Sequence, residues 1–363
     1  VAIEAVHAAM EETVTNTKTI LTRRALMTGA AGIGTAALSM PTVRNARAAP
    51  IAIRYATGGG IGPNEMETVI YLDWMQKNVL QGYGKDYTVD MTFTRGTPEA
   101  GTLLAAGQAD MATLSFAVFA TSVLKSIVPG GLTIVSDNYQ DGRPGYAQNT
   151  FFVLKDSPIQ STQDLKGKKV GINAYGSAVD LALRVKLKKD GLDPRKDLTI
   201  VEVAFPNQAA AIREKRIDCG ILILPFMNAE IRRGDLRALF TGGDAFGPYS
   251  VIFQVATNDF LKKNADAVKS YLADYVRGLQ WLHDPANRKK AVEITAEFTK
   301  SPGDVLDSYF MTERDYYRDR NACVGVATIQ TPIDAMHKEG LIDRPVKVSD
   351  HLNMSYLPFP CSV

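Results

Sequence analysis

The chain has 363 residues, 45% of them hydrophobic and 22% charged, with a formal net charge of +2. That length and hydrophobic share support two lobes, each with its own core, and the charge balance lacks the basic excess that nucleic acid or an anionic membrane surface selects. Three cysteines (Cys219, Cys323, Cys361) and four scattered histidines (His7, His283, His337, His351) match no zinc-site spacing, so neither a metal nor another cofactor is expected.

Residues 1–48 read as a twin-arginine export signal. Arg23 and Arg24 precede a weakly apolar, Gly/Ala-rich run over residues 25–40, and Ala46-Arg47-Ala48 places small residues at the two positions a signal peptidase reads. The run is shorter than the about 20 apolar residues of a membrane span. Cleavage after Ala48 is expected. The stretch before Thr22 is longer than such a signal needs, which makes Met10 a candidate start. Removing residues 1–48 takes away five of 41 basic and three of 39 acidic residues and leaves 36 of each, a net charge near zero.

Residues 51–56 alternate as a strand and lead into a glycine-rich run, Thr57 to Pro63, where backbone can approach a ligand closely. The GxGxxG spacing of a dinucleotide site is absent, so the run reads as a turn. A helix is predicted over residues 64–79, with Met66, Val69, Ile70, Trp74 and Met75 on its core face. Residues 87–94 form the next strand, followed by a helix with Thr97 as N-cap and Pro98 at the first helical position. A short strand at residues 111–114 ends at Ser115 and Phe116. Ligands of open α/β sheets sit beyond the carboxyl ends of the strands, which makes Gly59, Gly60, Thr97, Ser115 and Phe116 candidate wall residues. Arg95, at a strand end beside a helix start, is a candidate for holding a carboxylate or sulfonate, with a salt bridge as its alternative role.

Residues 132–137 form another strand, and residues 147–151 read as a first crossing between lobes. The apolar run 151–154 breaks at Asp156-Ser157-Pro158. Ser161 to Asp164 has capping-box spacing, and Gly167 stops the short helix that it opens. A strand over residues 168–173 then turns into a helix over 179–185, delivering Asn173, Tyr175, Gly176 and Ser177 to the helix N-terminus. Free N–H groups and the helix dipole hold small anions there, although the same residues also serve as plain caps and turns. The unit repeats: strand 198–204, loop 205–208, helix 209–215, strand 217–224, a breaker at Pro225-Phe226 and strand 236–240. Asn207 and Phe226 are therefore further candidates. Residues 241–249 read as the return crossing, with Tyr249 as a candidate at its end. Cys219, in an apolar run, reads as a buried small hydrophobe.

From residue 259 the chain is mostly helical, over 265–282, 285–298, 302–310 and 331–339. Val268, Leu272, Tyr275, Val276 and Leu279 make an amphipathic stripe in the first of these helices. Tyr309, Tyr316 and Tyr317 supply internal aromatic packing. Cys323 and Cys361 are free to pair in an oxidising compartment, which the sequence leaves open. Alternating strands and helices, with two crossings, predict an α/β fold of two lobes with a cleft between them: residues 49–147 and 250–363 in lobe I, 148–249 in lobe II.

The stretch 149–184 resembles the solute-binding proteins of the nitrate/sulfonate/taurine group of ABC importers. The resemblance lies in Ser157-Pro158-Ile159, the DLKGKKVG run at 164–171, the Gly176-Ser177 helix start and the GLDPRKD run at 191–197. Residues 101–110, 217–225 and 281–288 (WLHDPANR) extend it over nearly all of the chain after residue 50. The resemblance implies the periplasmic binding protein type II fold, a two-strand hinge, periplasmic location, and an ABC permease and its ATPase as partners of a monomer.

Within that expectation, the aromatic candidates and Arg95 suit a small organic anion, a sulfonate or an aromatic carboxylate such as a phthalate, more than nitrate. Pyrimidine thiamine precursors also fall within the family's range. An enzyme of the pyrimidine-precursor synthase type is the rival on the same fold. Against it, no histidine falls in a cleft segment and no nucleophile–base spacing is present.

Overall fold

The structure is a computed structural model that describes residues 49–361. The export signal expected at residues 1–48 lies outside the described residues. The described chain begins with β1 (Ile51–Ala56), α1 (Met66–Ile70), α2 (Asp73–Asn78), β2 (Tyr87–Thr92), α3 (Thr97–Ala105), β3 (Met111–Ser115), α4 (Phe116–Leu124) and β4 (Leu132–Asp141). It crosses into β5 (Thr150–Leu154), β6 (Lys169–Ile172), α5 (Ala178–Lys189), β7 (Thr199–Glu202), α6 (Gln208–Arg213), β8 (Cys219–Leu222), α7 (Phe226–Arg233) and β9 (Leu236–Thr241). It returns through α8 (Gly242–Phe246) to β10 (Tyr249–Thr257), and ends with α9 (Asn258–His283), α10 (Arg288–Thr299), α11 (Gly303–Asp307) and α12 (Val326–Lys338).

The strands form two five-stranded sheets of one design, ordered β2-β1-β3-β10-β4 and β7-β6-β8-β5-β9. In each, three strands run parallel and the fourth is antiparallel to both its neighbours. That fourth strand is the one that has just arrived from the other lobe. Helices cover the sheets, as parallel connections require.

Where the two crossings meet, they bond to each other. Asp141, fully buried, accepts from Gly142 N–H (2.7 Å), Asn149 N–H (3.3 Å) and Tyr249 OH (3.0 Å), and Gly242 N–H donates to Asn149 O (2.9 Å). Burial, offset by these donors, pushes the Asp141 carboxyl up to about 7. Gly142, at φ +73, lies so close to the return crossing that an added Cβ would stand 2.2 Å from Gly247 O. Only glycine fits there. The segment before α12 joins in, with Ala147 N–H donating to Asp315 O (3.0 Å) and Tyr317 bridging Gln140.

The apolar stripe of α9 is buried against α1, β2 and β10. Its Asp274, 1% exposed, accepts from the N–H groups of Gln81 (2.8 Å), Gly82 (2.8 Å) and Tyr83 (3.1 Å) and from Tyr87 OH (2.9 Å). Cys323 and Cys361 form a disulfide, with Cα atoms 5.6 Å apart. Cys219 is fully buried, and burial pushes its thiol up.

Several elements differ from the sequence reading. The helix expected over residues 64–79 is two short helices, because the backbone is extended at Leu72 (φ −70, ψ 150); this turn lets the Tyr71 ring stack on Tyr271 at 5.1 Å. β10 occupies residues assigned no element beyond Tyr249. It is a central strand buried through Ala256, so it carries none of the alternation that marks a half-exposed strand. α4 and α7 begin directly at Phe116 and Phe226, where the sequence reading has the end of a strand and a breaker and no helix. The N-cap of α3 is Gly96, one residue before the expected Thr97.

Candidate functional site

Between the two sheets lies a cleft of about 460 Å³, within the range of small-molecule sites. The loop after β1, residues 58–65, forms one wall, and Asn173, Phe205 and residues 223–226 form the opposite one. Four helices of eight or more residues begin at its edge: α3 at Thr97, α4 behind its cap Ser115, α5 behind its cap Ser177, and α7 at Phe226. The strands place them there because each sheet delivers its carboxyl ends to the same gap. The far end is closed by Thr299 to Pro302, after α10.

The polar side chains on the wall are largely committed. Ser115 Oγ accepts from Val118 N–H (3.3 Å) and from Thr97 Oγ1 (3.1 Å). Ser177 Oγ accepts from Asp180 N–H (3.3 Å) and donates to Asn173 Oδ1 (2.9 Å). Asn64 Nδ2 reaches across the cleft to Leu224 O (2.8 Å), while Asn64 Oδ1 is buried without a partner. Leu224 N–H donates to Tyr316 OH (3.1 Å), which donates to Asn149 Oδ1 (2.8 Å). Both polar groups of the Leu224 peptide are therefore held from the side of the first sheet.

Besides Tyr139, two lining residues carry ionisable groups, and these are of opposite kind. Lys300, exposed and in the left-handed region at φ +55, supplies the one cation among the lining residues. Glu65 supplies the one carboxyl. It is 7% exposed, accepts from Gly58 N–H (2.8 Å), and is pushed up to about 8 by burial first and by the neighbouring Glu67 second. Both causes favour its protonated, uncharged form.

Of the residues expected at the site, Gly59, Gly60, Thr97, Ser115, Ser177 and Phe226 line the cleft. Six others do not. Arg95 turns to solvent, its side chain 93% exposed, where its N–H and Nε bond Glu99 (2.9 and 3.2 Å) and hold that carboxyl below its usual range. Phe116 is fully buried in the core, edge-on to Phe246 and Tyr249. Tyr249 is buried on the hinge carboxylate Asp141. Tyr175, 49% exposed, turns outward along β7, its OH on Ile200 O (2.5 Å). Gly176 (φ +75) makes the turn before α5, with its N–H on Asp180 (2.8 Å). Asn207 is exposed at the end of a 3-10 turn whose Phe205 and Pro206 face the cleft instead.

Asn64, Glu65, Leu224 and residues 299–302 were missed. Glu65 follows the glycine run at a helix start, and a lone glutamate there reads as an ordinary first-turn acid. The Lys300 segment comes from a distant part of the chain and has no local signature.

The family model described as NMT1/THI5 like matches residues 79–287. Nitrate/nitrite binding protein NrtA of Nostoc sp. is 24% identical over 159 residues, 42% of this chain and 36% of that protein. The protein of the same name from Synechococcus elongatus is 26% identical over 219 residues, 57% of this chain and 47% of that protein. The chain thus spans less than half the length of these curated relatives. The solved periplasmic aliphatic sulphonate binding protein SsuA of Escherichia coli superposes with a TM-score of 0.61 at 19% identity, covering 83% of this chain and 97% of that one. The fold is that of periplasmic binding proteins.

Proposed function

The chain belongs to the NMT1/THI5 like family, and on that premise we propose that it is an extracytoplasmic solute-binding protein of an ABC importer that captures a small organic anion. The observation that carries this reading is the cleft of about 460 Å³, lined from both lobes and bordered by four helix starts. A helix start attracts negative charge, and Lys300 adds a cation among the lining residues. The uncharged Glu65 leaves no fixed negative charge on the wall. The apolar lining, Phe205, Ile223, Phe226 and Val251 among it, suits a solute with an apolar body. A sulfonate or an aromatic carboxylate such as a phthalate fills such a space better than a bare inorganic ion.

Binding is non-covalent and coupled to movement of lobes 49–147 with 250–363 and 148–249 about the two crossings. The monomer, exported by the twin-arginine signal, hands the solute to a membrane permease driven by an ATPase. No cofactor takes part. The lining offers no histidine, cysteine or carboxylate pair for catalysis, which favours a binder over an enzyme. A second reading, uptake of a pyrimidine thiamine precursor, is favoured by the free acceptor Asn64 Oδ1, which a heterocyclic N–H would satisfy.

A thermal-shift screen of the chain from Ala49 against alkanesulfonates, aromatic mono- and dicarboxylates, nitrate and pyrimidines tests the reading. A solute at about 100 times its dissociation constant adds about 2.7 kcal/mol of stability. A shift with an organic anion supports the proposal. A shift with pyrimidines alone transfers it to the second reading, and no shift with any of them after refolding to remove a retained ligand overturns both.

A further inference from the structure

Glu65 and Glu67 lie two residues apart at the start of α1, both buried, and the donors around them are shared unequally. Glu67 receives Tyr55 OH (2.5 Å), Thr113 Oγ1 (2.7 Å) and Asn138 Nδ2 (2.6 Å). Three donors thus converge on that one carboxyl group. Glu65 Oε2 receives the Gly58 N–H (2.8 Å), and Oε1 lies beside Gly59, where an added Cβ would stand 3.1 Å away. No cation pairs with Glu65 among the described residues. Of the two, Glu67 lies behind the wall and Glu65 on it.

From this geometry we infer that Glu65 meets the solute as a neutral acid, donating its proton as a hydrogen bond to an anionic oxygen, so that solute binding requires that proton to be in place. The inference rests on the organic-anion reading of the cleft. A buried carboxylate on this wall would repel the anion that the helix starts attract, whereas a carboxylic acid adds a side-chain donor where the other polar side chains are largely committed. The upward displacement of its titration to about 8 agrees with the unequal sharing of donors.

The ionisable groups around the pair do not supply another switch in the same range. Tyr55 on β1, Tyr139 on β4 and Tyr271 and Tyr275 on α9 are buried and pushed upward from 10, so they stay neutral. Arg318, whose guanidinium donates to Asn64 O (3.1 Å), is already paired with Asp315 at 3.0 Å. Lys300 is exposed across the cleft. Asp137 (about 6) and Asp141 (about 7), farther along β4, titrate lower, and a variant confined to position 65 separates their contribution.

The test is calorimetric titration of the chain from Ala49 with ethanesulfonate and with benzoate between pH 6.5 and 9.5, for the wild type and Glu65→Gln. Neither probe titrates in that range. In the wild type the dissociation constant should stay level to about pH 7.5 and rise tenfold per unit above about pH 8, as linkage to one proton dictates. Glu65→Gln keeps a donor but has no proton to lose, so whatever its dissociation constant at pH 6.5, the rise above pH 8 should be abolished. A wild-type constant that does not change with pH, or a variant that keeps the wild-type slope, overturns the inference and leaves the anion reading standing. Failure of both anions to bind at pH 6.5 removes the anion reading and the inference with it. A carboxylic-acid carbonyl band at pH 7 in the infrared difference between wild type and Glu65→Gln should accompany the first result; its absence overturns the inference independently of any solute.

Discussion

Lys300 stands where α10 ends, the one cation on the cleft wall. Truncating it, Lys300→Ala, should weaken binding of an anionic solute by about 1 kcal/mol, the scale of an exposed charge contact, read as a roughly fivefold rise in dissociation constant by calorimetry. Arg95→Ala should leave that constant unchanged, because the guanidinium turns to solvent and Glu99; a loss of tenfold or more would place it at the solute after all. Three buried carboxyls set the response to pH. Glu65, Asp141 and Asp137 are pushed up to about 8, 7 and 6, so between roughly pH 4 and 8 these three groups bind more protons in the folded chain than in the unfolded one. Stability is therefore greatest at the acid end of that window and falls as the pH rises through each value. Asp235, held at about 2 by Arg213, acts in the opposite sense below pH 4, and His283, lowered by burial, opposes the decline as the pH rises towards 6.5. Melting temperatures that climbed from pH 5 to 8 would contradict this, and Glu65→Gln should flatten the upper part of the decline.

At the scale of elements, α9 does for the first lobe what a clamp does for a loop. Asp274 gathers three backbone N–H groups of residues 81–83 and the Tyr87 hydroxyl. Asp274→Ala leaves those donors unpaired, the Gly82 N–H and Tyr87 OH among them buried, and should cost about 3 kcal/mol in urea unfolding. The helical stripe that includes Val268 and Leu272 was legible because α9 has one buried face and one wet one. The βα alternation was legible for a related reason: strand ends, prolines and capping residues punctuate it at residues 97–98, 156–161 and 177. β10 was not, since burial on both faces erases the period. The candidate site divides along the same line. Ser115 and Ser177 reach the wall because capping fixes where a helix begins, whereas Arg95, Tyr175 and Tyr249 were chosen for chemistry, and which way a side chain turns depends on neighbours such as Glu99, Ile200 and Asp141 that no local pattern reveals.

Over the whole molecule, the Cys323–Cys361 bond closes the end of the chain onto the segment before α12. A loop of that separation, 38 residues, contributes about 4 kcal/mol. The double variant Cys323→Ser with Cys361→Ser should therefore melt lower than the oxidised wild type and match the reduced one; equal melting of oxidised and reduced protein would show that the bond adds nothing.

The position of β10 has a consequence for the order in which the chain can finish folding. The second sheet is assembled wholly from residues 150–241, but the first keeps an empty place between β3 and β4 until residues 249–257 have been made. A nascent chain that has completed its second sheet still carries two unsatisfied strand edges in its first, which are sites for pairing with another chain. A chain stopped at residue 248 should aggregate, and a synthetic peptide of residues 249–257 should rescue it. The fragment 148–248 should fold by itself. That arrangement ties completion of the first lobe to the arrival of the last third of the chain.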